Sequence, residues 1–161
     1  MRHLLDFIIE SNAIERIYDL DRAAAEVPVY ARFLAVRPVT IAVLCDLTFR
    51  IQPTLYNGGL NHLRDRLGRD VIVGMHVPPK GGPGIHDKLT ALLRAISYGD
   101  VTPFEAHVQY ENLHPFLDGN GRGGRALWLW MMQHRERAGN GFLHQWYYDS
   151  LDATRNKRDA R

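Results

Sequence analysis

The sequence predicts an all-α domain carrying one small β-hairpin. Three observations point there. Apolar residues recur at helical spacing through most of the chain. Strand-like character is confined to Asp70-Val71-Ile72-Val73-Gly74-Met75-His76-Val77-Pro78-Pro79. The 161 residues fit one domain, 1–161, at ~100–200 residues per domain, with an ordinary core.

The elements follow in order. Leu4, Leu5, Ile8 and Ile9 make a first apolar helical face. Ser11 is expected to N-cap a separate short helix through Ile17, its hydroxyl accepting an early backbone N–H. A helix from about Asp21 is expected to break at Pro28, which lacks the N–H that a helix interior needs. Pro38 suits the first position of the next helix, in which Ile41, Leu44, Cys45 and Thr48 share a face. Cys45, between Leu44 and Leu47, reads as a buried thiol. Asn57-Gly58-Gly59 breaks the pattern. Gly74-Met75 folds the β-like stretch into two short strands, and Lys80-Gly81-Gly82-Pro83-Gly84 is a loop. Ile85, Leu89, Leu92, Leu93 and Ile96 mark another helix. Thr102-Pro103-Phe104-Glu105 is a capping box with proline at the first helical position, opening a helix to about Leu113. A further helix runs from about Gly121 to Arg137 and stops at Gly139, and a last one spans roughly 142–153.

Composition excludes several classes. Hydrophobic residues at 45% and charged residues at 24% exclude a disordered or collagen-like chain. A single cysteine excludes an internal disulfide framework. No apolar run approaches the ~18–20 residues of a membrane span. Met1-Arg2-His3-Leu4-Leu5-Asp6 gains an acid too early for a signal peptide, so a reducing cytoplasm is the expected setting. The net charge is +2, but residues 155–161 alone hold +3 and the body holds −1. The body is therefore not a broad basic surface for nucleic acid, and the tail reads as a solvated, flexible end.

The chemistry concentrates in Leu113-His114-Pro115-Phe116-Leu117-Asp118-Gly119-Asn120-Gly121-Arg122-Gly123-Gly124-Arg125. Four of the 14 glycines fall within residues 119–124. Glycines that dense let the backbone aim several N–H groups at one point, an anion nest opening into a helix N-terminus. Arg122 and Arg125, three apart, project on one helix face and repel each other until an anion joins them. A polyphosphate fits. The helix that follows, Ala126-Leu127-Trp128-Leu129-Trp130-Met131-Met132, is apolar nearly all round and should be central. Asp118 stands where its carboxylate can hold a Mg²⁺ that bridges phosphate oxygens. His114, with an unperturbed pKa near ~6.5, can take a proton from a hydroxyl.

Residues 114–125 match every fixed position of the Fic-domain motif HPFx(D/E)GNGRxxR. The chain thus resembles the Fic family over nearly its whole length, which implies a compact helical bundle with a short β-hairpin flap. The resemblance implies transfer of AMP from ATP to a hydroxyl of a Ser, Thr or Tyr in a target protein. It implies His114 as general base, Phe116 as the buried anchor of the loop, and Asp118 as the Mg²⁺ ligand. Gly119, Asn120 and Gly121 would form the anion hole, Arg122 would meet the β-phosphate, and Arg125 the γ-phosphate. The related Doc-type kinases carry Ala and Lys in place of Gly119 and Gly121, which argues against protein phosphorylation here. Residues of about 70–78, with Val71, Ile72, Val73, Gly74, Met75, His76 and Val77, resemble the flap that pairs with an extended target segment.

A second family element is similar to Glu10-Ser11-Asn12-Ala13-Ile14-Glu15-Arg16-Ile17. This is the N-terminal inhibitory helix with the pattern (S/T)xxxE(G/N), placed at about 10–18. Ser11 and Glu15 match it, and Arg16 replaces the usual Gly or Asn. Glu15 is then expected to pair with Arg125, occupying the γ-phosphate position and holding the enzyme off. Other readings keep the fold: removal of AMP from modified proteins, transfer of another phosphate-containing group, or a non-catalytic nucleotide-sensing module. A homo-oligomer is left open.

Overall fold

The computed structural model describes residues 2–52 and 62–135. The Asn57-Gly58-Gly59 break, the stop at Gly139, the helix at 142–153 and the tail at 155–161 lie outside the described residues. Six helices run through the described part: α1 (Arg2–Ile14), α2 (Leu20–Ala35), α3 (Ile41–Ile51), α4 (Pro83–Tyr98), α5 (Pro103–Leu113) and α6 (Asn120–Arg135). α6 is the central element, packed by α5, α3, α2 and α1, with α4 on the far side of α5. Its Ala126, Leu127 and Met131 are fully buried and join Ile8, Tyr30, Leu44, Ile51, Leu89, Tyr110 and Phe116 in one core. The all-α prediction therefore holds, and the expected centrality of the apolar helix with it.

Local chemistry explains where the helices begin. Asp19 caps α2, its carboxylate accepting the Arg22 N–H at 3.0 Å. Thr102 and Glu105 form the predicted capping box: Thr102 Oγ1 accepts the Glu105 N–H at 3.2 Å and the Glu105 carboxylate accepts the Thr102 N–H at 2.9 Å. Three expectations are corrected. Pro28 does not end α2, which continues to Ala35. Pro28 and Ala24, whose carbonyl loses its helical donor, are both exposed, while Ala23, Tyr30 and Phe33 anchor the opposite face. Pro38 lies ahead of α3 rather than in its first turn; Thr40 is the cap, accepting the Val43 N–H at 3.3 Å. Cys45 is half-buried, and burial pushes its thiol up to about 11, so it stays protonated near neutral pH.

A fourth correction concerns the N-terminus. No separate helix starts at Ser11. α1 runs unbroken to Ile14, and Ser11 sits buried in its last turns. The helix closes on Glu15 and Arg16. The Ile17 N–H donates to the Asn12 carbonyl and the Arg16 N–H to the Ala13 carbonyl, both at 2.9 Å, the two bonds of a Schellman cap. Arg16 takes the left-handed conformation this cap demands, φ 60°. That is why the resembling pattern puts Gly or Asn there: a Cβ in this region costs about 1–2 kcal/mol. Arg16→Gly is therefore expected to stabilise the fold by about 1 kcal/mol, raising Tm by about 2–4 °C. Differential scanning calorimetry checks this, and an unchanged or lower Tm would contradict the cap.

The β-like stretch folds where the sequence places it, in reduced form. Val73 and His76 exchange two backbone hydrogen bonds at 2.9 Å around Gly74-Met75. Gly74, φ 59°, supplies the positive φ that such a two-residue turn needs at its first position. The two expected strands amount to this single antiparallel pair. Ile72, Met75 and Val77 are exposed on it. His76 is more than a surface side chain: its Nε2 lies 3.1 Å from the Asn112 carbonyl and ties the hairpin to α5.

Candidate active site

The loop between α5 and α6 is built from both ends. His114 ends α5 in the left-handed region, φ 48° and ψ 63°, with its N–H on the Tyr110 carbonyl at 2.9 Å. A non-glycine residue there is strained and needs outside support. Arg64 gives it: fully buried, it donates to the His114 carbonyl at 2.6 Å, to the Arg69 carbonyl at 2.8 Å, and to the Pro79 carbonyl at the foot of the hairpin. Burial lowers the Arg64 pKa from its usual range. Phe116 is fully buried, as expected. Asn120 fixes the loop around it, its amide oxygen accepting the Phe116 N–H at 2.8 Å and its amide nitrogen donating to the Phe116 carbonyl at 2.7 Å.

The glycines divide into two duties, where the sequence suggested a single nest. Gly119, φ 78°, turns the chain into α6. Gly123 donates the first helical bond, to the Gly119 carbonyl at 2.9 Å. The N–H groups of Asn120, Gly121 and Arg122 are thus left at the open helix end, where the dipole favours an anion. Gly123 and Gly124 instead let α6 approach α5. A Cβ on Gly123 would stand 2.8 Å from the Tyr110 hydroxyl, and one on Gly124 would run into the Glu111 carboxylate.

The two arginines are separately held. Arg125 is 1% exposed. Its Nε donates to Ser11 Oγ at 2.8 Å, and its Nη2 to the Ser11 carbonyl at 2.9 Å and to Glu15 Oε1 at 2.7 Å. The Glu15 carboxylate lies directly over Gly121, where an added Cβ would collide with it. Arg122 donates to the Ile51 carbonyl at 2.6 Å, at the negative end of α3, and lies 3.5 Å from the Glu26 carboxylate. Burial lowers its pKa, with Tyr30 and Glu26 opposing.

Sequence reasoning missed three members of this network. Glu26 is a buried carboxylate that also takes Asn12 Nδ2 at 2.9 Å and Arg22 Nε at 3.1 Å. Its only sequence signal is the Arg22–Glu26 spacing on one helix face. Arg64 reads as one more base in Leu63-Arg64-Asp65-Arg66. Gln52 caps the C-terminus of α3 and donates from Nε2 to Asp118 Oδ2 at 2.7 Å, while its Oε1 accepts from Arg122.

A cavity of about 550 Å³ gathers most of the predicted residues. His114, Asp118, Gly119, Asn120, Gly121 and Arg122 line it, with Glu15 on one side and Val71, Ile72 and Val73 of the hairpin on the other. Arg125 is not on its wall, being covered by Glu15. Gly74 and Met75 form the exposed hairpin tip, and His76 and Val77 face a second cavity between the hairpin, α4 and α5, of about 640 Å³. That larger cavity holds none of residues 114–125 and is not where this chemistry sits.

Residues 84–132 match the model of the Fic/DOC family. This stretch belongs to the Fic family. The matched stretch runs from the first turn of α4 into α6 and spans the loop from His114 to Arg125. Members of the Fic family commonly transfer phosphate-containing groups of nucleotides. Among the described residues, no helix is long and apolar enough to cross a membrane.

Proposed function

We propose that this Fic-domain protein is a protein adenylyltransferase, moving AMP from ATP to a Ser, Thr or Tyr hydroxyl of a target protein and held in check by Glu15. The observation that carries the reading is the shared cavity: a base, a carboxylate, a helix N-terminus with an arginine, and a hairpin arm all face one space. The target hydroxyl attacks the α-phosphorus as the bond to the β-phosphate oxygen breaks, and pyrophosphate leaves. His114 takes the hydroxyl proton; its Nδ1 is buried, which leaves Nε2 for that task. The N–H groups at the start of α6 and Arg122 stabilise charge on the phosphates. Val71–Val73 line the cavity with His114, and Ile72 is exposed there, which supports docking of an extended target segment beside the base.

Asp118 suits Mg²⁺. Its Oδ1 accepts the Gly119 N–H at 2.7 Å and its Oδ2 accepts from Gln52, so the carboxylate is fixed on the cavity wall while each oxygen has the capacity to accept a second partner. One carboxylate plus substrate phosphates is the usual protein share of a Mg²⁺ site. When bound, the ion would neutralise charge on the phosphates.

Mass spectrometry of the full chain carrying Glu15→Gly, after incubation with ATP and Mg²⁺ and a cell lysate, tests the reading. An AMP adduct on a hydroxyl of the protein or of a lysate protein is expected. A phosphoryl adduct, or no adduct of any kind, would sink it. Glu15 also lines the cavity with 39% of its side chain exposed, which favours a second reading, removal of AMP with Glu15 orienting water. Loss of AMP from modified lysate proteins with the unaltered chain, and not with Glu15→Gly, would select that reading.

A further inference from the structure

We propose that Gln52 is a positioning residue of the transfer site, holding the Asp118 carboxylate in register for the divalent cation and fixing Arg122 beside it. This rests on the transfer reading above and adds a residue to it.

The amide of Gln52 has one donor end and one acceptor end, and the site uses both. Nε2 donates to Asp118 Oδ2 at 2.7 Å, and Oε1 accepts from Arg122 Nη2. The opposite amide orientation would face an oxygen toward a carboxylate and N–H groups toward a guanidinium, so the assignment is fixed by charge. No other uncharged side chain of this length could serve both neighbours at once. The Asp118 carboxylate is then gripped on two sides, by Gln52 at Oδ2 and by the Gly119 N–H at Oδ1 at 2.7 Å. Without the Gln52 bond, this exposed aspartate would keep only the Gly119 N–H of the two, and its Oδ2 would lose its fixed position.

Gln52 is itself rigidly placed. It closes α3, its N–H donating to the Thr48 carbonyl at 2.9 Å. The preceding carbonyl, of Ile51, is clamped by Arg122 at 2.6 Å and by Arg22 at 2.7 Å. The Gln52 stem packs against Gly119, where an added Cβ would lie 3.3 Å from the Gln52 Cβ. The end of α3 is thus docked onto the start of α6, and the amide reaches across that junction. Ligand-orienting partners of this kind set metal affinity, and their loss costs about 10- to 100-fold.

The test measures binding and needs no turnover. ATP is titrated calorimetrically into the full chain carrying Glu15→Gly, with EDTA and then over a range of Mg²⁺, with and without Gln52→Met. Methionine keeps the length and removes both hydrogen bonds. The Mg²⁺ concentration that half-maximally tightens ATP binding is expected to rise about tenfold or more, while ATP affinity in EDTA changes less than threefold. Gln52→Leu is the second variant, and melting curves accompany both. An unchanged Mg²⁺ requirement with a lowered Tm would make Gln52 a structural cap and overturn the proposal. If Glu15→Gly alone binds ATP with no Mg²⁺ dependence, the transfer reading beneath the proposal fails instead.

Discussion

Replacing Glu15 with Gly is expected to raise AMP transfer by about 5- to 150-fold, the range that a coupling of about 1–3 kcal/mol between the Glu15–Arg125 contact and productive ATP binding produces. The carboxylate stands 2.7 Å from Arg125 and directly over Gly121. An anionic phosphate at this helix end would have to displace it. Arg125 is 1% exposed, and Glu15 gives it a carboxylate beside the hydroxyl and carbonyl of Ser11. A buried cation that loses a directly bonded carboxylate is destabilising. The nucleotide-free variant should therefore melt lower than the parent, and ATP should raise its Tm by more than it raises the parent's. Glu15→Gln separates charge from bulk. If the brake is electrostatic, Gln releases it nearly as well as Gly; if it is steric, Gln stays inhibited. Radiolabel transfer from ATP measures the first effect and differential scanning fluorimetry the second. Equal transfer by parent and Glu15→Gly, with equal thermal shifts, would remove the brake.

The Glu15–Arg125 contact on which the proposed brake rests is legible in the sequence only in part, and its geometry shows why. The pattern around Ser11 and Glu15 picks out two residues that meet Arg125, but not their local structure. Ser11 resembles an N-cap because a hydroxyl ahead of a helical run is usually one. Here it lies in the last turns of α1, and its hydroxyl receives a guanidinium 114 residues further along the chain. Arg16 departs from the pattern, yet it adopts the left-handed conformation for which Gly or Asn is preferred. The backbone demand is met at a cost in strain, and the Glu15 side chain is still delivered to Arg125.

The motif itself was legible because its residues are contiguous, so spacing alone brings His114, Asp118 and the helix N-terminus together. What surrounds it was not. Glu26, Gln52 and Arg64 reach the site through tertiary contacts spanning roughly 50 to 100 residues with Arg122, Asp118 and His114. No local pattern announces such a partner; a glutamate in Ala23-Ala24-Ala25-Glu26 looks like any helix acid. The glycines show the converse error. Density suggested one duty for all four, whereas Gly123 and Gly124 are small because Tyr110 and Glu111 press against them. Pro28 fails as a breaker for a related reason: core contacts on the buried face of α2 outweigh one missing bond on the exposed face.

Removing the His114 imidazole is expected to lower transfer by about 10²- to 10⁴-fold, the usual contribution of a positioned general base, while ATP still binds. The two effects separate because the phosphate-facing groups do not depend on this ring. The N–H groups at the start of α6, Arg122 and Asp118 are positioned by Asn120, Ile51, Glu26 and Gln52. His114 contributes its carbonyl to Arg64, and a substitution keeps that carbonyl in place. Choice of substitution matters, since the residue sits at φ 48°. Ala tolerates this region poorly, whereas Asn is among the residues enriched there. His114→Asn therefore removes the base with the backbone conformation kept, and His114→Ala adds about 1 kcal/mol of strain or more. Both should be measured with Glu15→Gly, where transfer is high enough to follow a large loss. If His114 is the base, both variants lose transfer to a similar degree and only Ala loses Tm. If the residue matters for its backbone alone, Asn transfers nearly as well as the parent, and proton removal belongs to another group in the cavity.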